Sequence, residues 1–204
     1  MAQARWRRSF GSHGSLARFA GAGCLLLLFT VPVHGQTVLY DNGPDEDIGY
    51  YRVNFGAATT NSFALAQEAT VTNVVLTIYD VDDRNFPEHL KWTITTEPFG
   101  GSVLGTGFVG LSRLQPPYLT RFLFFAWKTG FQVPSLTLPA GTFYLQLQDV
   151  VTEWDTWAFW AESGGPSTAY HSEVGPSNDG VRLAAQTVSE SFVVMGEWRE
   201  AAQQ

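Results

Sequence analysis

Residues 153–160, Glu-Trp-Asp-Thr-Trp-Ala-Phe-Trp, place two carboxylates among three indoles and a phenyl ring. Carboxylates two positions apart on an extended chain project from one face. Retaining glycosidases use such spacing to hold a nucleophile and an acid/base roughly 5–5.5 Å apart. Glu153 and Asp155 fill the first two places of a Glu-x-Asp-x-Glu strand motif. Trp157 takes the third place, Ala158 takes that of the one-residue variant, and Glu162 lies too far along the chain. The acid/base is missing, so hydrolysis is not the expected chemistry.

The aromatic residues admit a second chemistry. Sugar rings stack their apolar faces on indoles, and neighbouring carboxylates accept hydrogen bonds from hydroxyls. On an extended 153–160, Trp154, Ala158 and Trp160 face one way, while Glu153, Asp155, Trp157 and Phe159 face the other. One face must turn inward. The default is a strand with one aromatic row in a core. The alternative is a stacking platform, for which Trp154 and Trp160, with Glu153 and Asp155, form the candidate ligand-binding set.

Two acidic stretches could bind a hard cation. Tyr-Asp-Val-Asp-Asp-Arg-Asn-Phe offers Asp80, Asp82, Asp83 and Asn85 in a hairpin loop, and Tyr-Asp-Asn-Gly-Pro-Asp-Glu-Asp offers Asp41, Asp45, Glu46 and Asp47. Calcium takes six to eight oxygens at 2.3–2.6 Å from loops of this composition. Arg84, however, stands where an EF-hand-like loop needs a third ligand, and no sixth-position glycine follows. Solvated turn residues are the default here, with calcium at Asp80, Asp82, Asp83 and Asn85 as the alternative. His89 and His171 have no close-spaced partner for zinc. No nucleophile-elbow, phosphate-loop or dinucleotide glycine pattern occurs.

The first 35 residues read as a leader. Arg5, Arg7, Arg8 and Arg18 precede an apolar run, Cys24–Val33, and Val33-His34-Gly35 suits signal peptidase, so cleavage is predicted before Gln36. Ten apolar residues fall well short of the roughly 20 that a spanning helix requires. Arg7-Arg8-Ser9-Phe10 resembles a twin-arginine signal with Trp6 in place of Ser or Thr, but the general secretory route is preferred. All 19 acidic residues but only 8 of the 12 basic ones follow position 35, which takes the net charge from −7 to −11. That charge argues against nucleic acid and anionic membranes as partners of the mature chain. Cys24, the one cysteine, leaves with the leader, so stability must come from packing rather than from disulfides.

The elements that must position these residues are strands. Helical periodicity is absent, and short β-branched and aromatic runs alternate with Gly, Pro, Asn and Asp clusters. Strands are expected near 37–41, 50–55, 62–67, 71–80, 89–96, 103–110, 119–127, 131–138, 142–149, 156–161, 181–186 and 191–196. Val74, Leu76 and Ile78 share one face, as do Phe143, Leu145 and Leu147. Leu138-Pro139-Ala140-Gly141 and Asn178-Asp179-Gly180 read as turns. Pro116-Pro117 separates two strands, and Pro134 marks an edge or a bulge. Gly100-Gly101 and Gly105-x-Gly107 read as turn and bulge glycines. The expected fold is an all-β, two-sheet antiparallel β-sandwich, jelly-roll-like, over residues 36–198, with a frayed tail at 199–204.

The phrases SFALAQEATVTNVVLTIYD, LKWTITTEPFGGSVLGTG, LPAGTFYLQLQD, FWAESGGPSTAY and SESFVVMG, between Val38 and Gly196, resemble secreted β-sandwich proteins of environmental bacteria. Many of these carry a PEP-CTERM (exosortase-type) anchor. The resemblance implies export and association with extracellular polysaccharide or biofilm, and it supplies no catalytic residue. The closing Gly-Glu-Trp-Arg-Glu-Ala-Ala-Gln-Gln lacks the anchor motif, so free secretion is expected. The function that follows is a secreted, non-enzymatic β-sandwich protein, with a carbohydrate-binding module as the alternative.

Overall fold

The computed structural model describes residues 36–174 and 181–199. The leader, the Asn178-Asp179-Gly180 turn and residues 200–204 lie outside them. Fourteen strands are described: β1 (Thr37–Asp41), β2 (Tyr50–Arg52), β3 (Ala57–Leu65), β4 (Ala69–Asp80), β5 (Pro87–Glu97), β6 (Gly100–Gly110), β7 (Ser112–Arg113), β8 (Tyr118–Leu119), β9 (Phe125–Leu138), β10 (Gly141–Thr152), β11 (Phe159–Ala161), β12 (Ala169–Val174), β13 (Val181–Thr187) and β14 (Phe192–Trp198). They form two antiparallel sheets packed face to face, the expected all-β sandwich.

In the eight-stranded sheet β4 is the spine. β9 pairs along one flank, β14 and then β11 along the other. β1 extends β14, β2 extends β11, and the two-residue strands β7 and β8 cover part of β9. The second sheet runs β13-β12-β3-β10-β5-β6. Alternation puts Val74, Leu76 and Ile78 of β4 opposite Phe143, Leu145 and Leu147 of β10, all buried in one core. Period-2 patterning predicts this, because one face of each sheet must leave water.

The chain departs from the expectation in several places. A single strand, β9, joins 125–127 to 131–138, and the two-residue β7 was not expected. Pro134 is accommodated within β9, because Leu136 pairs with Val71 and Gln132 with Asn73, leaving residues 133–135 opposite Thr72 alone. That irregularity is the bulge a proline without an N–H requires. β12 was not expected, since its Ala-Tyr-His-Ser-Glu-Val sequence carries little β-branched character. It nevertheless pairs antiparallel with β13 from Val174↔Val181. Finally, Arg199 is not frayed: its N–H donates to the Glu68 carbonyl at 3.0 Å and its guanidinium lies 3.5 Å from the Glu68 carboxylate.

The glycines of β6 have a packing reason besides the bulge. A Cβ on Gly107 would stand 2.8 Å from Nε1 of buried Trp92, and one on Gly105 3.2 Å from the same indole. Trp92 thus lies flat against a strand that must lack side chains there. The turn glycine Gly101 adopts φ +69°, as expected for its position.

Candidate functional site

The 153–160 segment is only partly a strand. β10 ends at Thr152, whose carbonyl accepts from Asp155 N–H at 3.2 Å, while its hydroxyl accepts from Thr156 N–H at 2.9 Å. Asp155 adopts φ +53°, which closes the turn. Glu153, Trp154 and Asp155 therefore ride on an exposed turn, and alternation begins only at Trp157. From there it holds as expected. Ala158 and Trp160 enter the inter-sheet core, while Phe159 turns to the opposite face against Tyr79, Ala126 and Ala161.

This geometry corrects the proposed pair of stacking tryptophans. Trp160 is 0% exposed, packs edge-on to Phe192 at 5.6 Å, and donates its Nε1–H to the Ser191 carbonyl at 2.9 Å. No ligand can reach it. Trp154 is 46% exposed, but the Arg84 guanidinium lies over its ring at 5.1 Å, so protein already occupies one face. Glu153 and Asp155 are exposed on the turn and share no face with Trp160. Among the described residues the most exposed indole is Trp157, at 58%.

The Asp80 loop has a structural task. Asp80 is buried, and its carboxylate accepts from Asn85 Nδ2 at 3.0 Å, Thr156 Oγ1 at 2.8 Å and Asp82 N–H at 3.1 Å. Asn85 is also buried, and its Oδ1 accepts from Trp154 N–H at 3.0 Å. Burial raises the Asp80 pKa above its usual value, and the hydrogen bonds from Thr156 and Asn85 pull it back. Asp82 instead pairs with Arg84, whose side-chain hydrogen bond holds the Asp82 carboxyl below the usual range, and Asp83 lies 3.8 Å from the same guanidinium. The four candidate calcium ligands thus split between an internal network and a surface ion pair. Asp45, in the other acidic stretch, accepts from the hydroxyls of Tyr79 and Tyr118, and Asp47 accepts from Arg121 N–H at 2.7 Å. The Tyr79 hydroxyl links the two stretches, but their acidic residues share no hydrogen bond with one another among the described residues. Excess EDTA is expected to leave the melting temperature unchanged. A fall of several degrees, the signature of an ion bound only to the folded state, would return calcium to this loop.

A buried carboxyl pair is a feature that the sequence reasoning missed. Glu162 and Glu190 face each other across an antiparallel bridge, Glu190 fully buried and Glu162 nearly so. Asn61 Nδ2 donates to Glu190 Oε2, while Glu190 Oε1 is enclosed without a partner among the described residues. Burial, reinforced by the Glu162 charge, raises the Glu190 carboxyl well above its usual range, and burial also raises Glu162. A Cβ on Gly49 would stand 2.3 Å from Glu162 Oε2, so a side chain there would displace the Glu162 carboxylate. The strand pattern put Glu190 just outside an expected strand, and no local signal pairs it with a residue 28 positions earlier.

The exposed Trp157 stands beside a cleft of about 280 Å³ that sequence reasoning did not assemble. Tyr50, Tyr51 and Arg52 of β2, Phe159 of β11, and His171 and Glu173 of β12 complete its lining. It lies where the edge strand of one sheet meets a strand of the other. Glu173 Oε1 accepts from Arg52 Nη2 at 3.2 Å and lies 3.4 Å from His171 Nε2. His171 Nδ1 is 3.0 Å from the Thr59 hydroxyl, and its ring lies 5.0 Å from that of Tyr51. Burial lowers the His171 pKa, and Glu173 opposes that shift.

Fold and cleft together define a two-sheet antiparallel β-sandwich with an aromatic cleft at one sheet edge. Compared with known protein families and with curated proteins, the chain matches none.

Proposed function

We propose that this chain is an exported β-sandwich protein that acts outside the cell without catalysis, in association with extracellular polysaccharide, as the resemblance to PEP-CTERM-type secreted proteins implies. The observation that supports the reading is the fold: the two-sheet antiparallel β-sandwich that the resemblance implies is the one formed by the described strands. The export itself rests on the sequence of the first 35 residues. Expression of residues 1–204 in a bacterial host, followed by N-terminal sequencing of the extracytoplasmic fraction, is expected to return Gln36 as the first residue. Full-length protein confined to the cytoplasm would overturn the reading.

A carbohydrate-binding role is favoured by one specific feature, the exposed indole of Trp157 beside a cleft that also carries a carboxylate and a guanidinium. The hydrolase reading has no comparable support. Glu153 and Asp155 sit on a turn without a third acid in the motif, and Glu162 and Glu190 lie within a buried polar network.

A further inference from the structure

We infer that the cleft formed by Trp157, Tyr51, Arg52, His171 and Glu173 is a binding subsite for one neutral sugar ring. The inference rests on the carbohydrate-binding reading and gives it a site and a ligand class.

Trp157 supplies the platform. Its ring meets Phe159 edge-on at 6.4 Å and 84°, and Phe159 is held in turn by Tyr50 at 4.8 Å and Phe124 at 5.2 Å. A cluster of aromatic rings thus supports the indole from behind and leaves much of its surface to solvent. A supported aromatic ring offers a flat apolar surface and loses little conformational freedom when a ligand stacks on it.

The polar side of the cleft reads hydroxyls. Arg52 and Glu173 form a mutual ion pair, and only Glu173 Oε1 takes part in it. Oε2 keeps its acceptor capacity among the described residues. The Arg52 side chain is 27% exposed at the cleft, while its Nε–H is enclosed and out of a ligand's reach. A carboxylate beside a guanidinium matches adjacent hydroxyls, one donating to the acid and the other accepting from the base. His171 Nε2 lies 3.4 Å from the same Glu173 oxygen, and the Thr59 hydroxyl lies 3.0 Å from His171 Nδ1.

Charge and size choose the ligand class. Glu173 already neutralises Arg52, burial favours neutral His171, and the chain carries a net charge of −7, so a polyanion gains nothing here. The volume of 280 Å³ lies just below the roughly 300 Å³ at which pockets begin to enclose drug-sized ligands. It suits one ring of a neutral polysaccharide lying across the sheet edge.

The test is affinity electrophoresis and calorimetry of the full mature chain against neutral glucans, galactans, mannans and xylans, with alginate as the anionic comparison. Trp157→Ala is expected to weaken binding by about tenfold or more, equivalent to roughly 1.4 kcal/mol. Glu173→Gln, which keeps the shape and removes the charged acceptor, is expected to weaken it by a smaller factor. Trp154→Ala should leave affinity unchanged and controls for loss of an exposed indole elsewhere. Melting curves of all three variants should match the parent, which separates a binding loss from unfolding. Unchanged affinity in Trp157→Ala would place the sugar elsewhere while leaving carbohydrate binding intact. Binding to alginate alone would overturn the ligand class. Failure of the parent chain to bind any glycan would overturn both the site and the carbohydrate-binding reading, while the export result stands independently.

Discussion

Trp160→Ala is expected to destabilise the protein by about 3–5 kcal/mol, the usual cost of truncating a buried aromatic side chain. Domains of this size hold only about 5–15 kcal/mol in total, and each kcal/mol shifts the melting temperature by roughly 2–4 °C. The expected fall is therefore about 6–20 °C by calorimetry or circular dichroism. Two terms combine. The indole is fully buried against Phe192, so its removal opens a cavity between the sheets. Its Nε1–H also satisfies the Ser191 carbonyl, and a buried polar group left unpaired costs about 1–3 kcal/mol. Trp160→Phe separates the terms, since it keeps a ring and loses the donor, and it should fall between parent and Ala. Trp157→Ala, three residues earlier, should stay within about 0.5 kcal/mol of the parent, as exposed positions do. A loss below 1 kcal/mol in Trp160→Ala would mean that the indole is not packed as described.

The second large effect is the pH dependence of Glu190→Gln. In the unfolded chain this carboxyl ionises near its ordinary 4.5, whereas in the fold burial and the Glu162 charge hold its proton to higher pH. The folded state then binds more protons than the unfolded state at any pH between the two values. Stability consequently falls as pH rises through that window, by up to about 1.4 kcal/mol per pH unit for one proton, and levels off above it. Below pH 4.5 both states are protonated and Glu190 adds no pH dependence. Glutamine keeps the acceptor for Asn61 and cannot ionise. The variant should therefore match the parent in stability near pH 4 and exceed it increasingly toward pH 8. Denaturant titrations across that range provide the measurement. A difference between the two proteins that is constant with pH would show that Glu190 does not hold a proton in the fold.

These two residues illustrate what a sequence pattern can and cannot carry. Alternation put Ala158 and Trp160 on one side of an extended chain, and one side of a sandwich strand must be dry, but it left open which side, so Trp160 was offered as a stacking residue. It also grouped Trp154 with them wrongly, because the Thr152–Asp155 turn breaks the alternation before it starts, and the positive φ of Asp155 leaves no hydrophobic signature. Glu190 was invisible, since its partners Glu162 and Asn61 are 28 and 129 positions away and pair through tertiary contacts alone. Arg52, His171 and Glu173 came together for the same reason, when β2 and β12 met at the sheet edge.

The sequence by itself determined the all-β class, the shared faces of β4 and β10, an edge or a bulge at Pro134, and the missing third carboxylate of the glycosidase motif. Each is a local property, set by period-2 burial, by the absent N–H of proline or by residue identity at fixed spacing. Only the tertiary structure decided which indole meets solvent, which acids are buried, and which aromatic and charged residues share a cleft. Those outcomes depend on which strands become neighbours. Neighbourhood is set by the packing of two whole sheets, a sum over residues far apart in the chain that no short stretch of sequence contains.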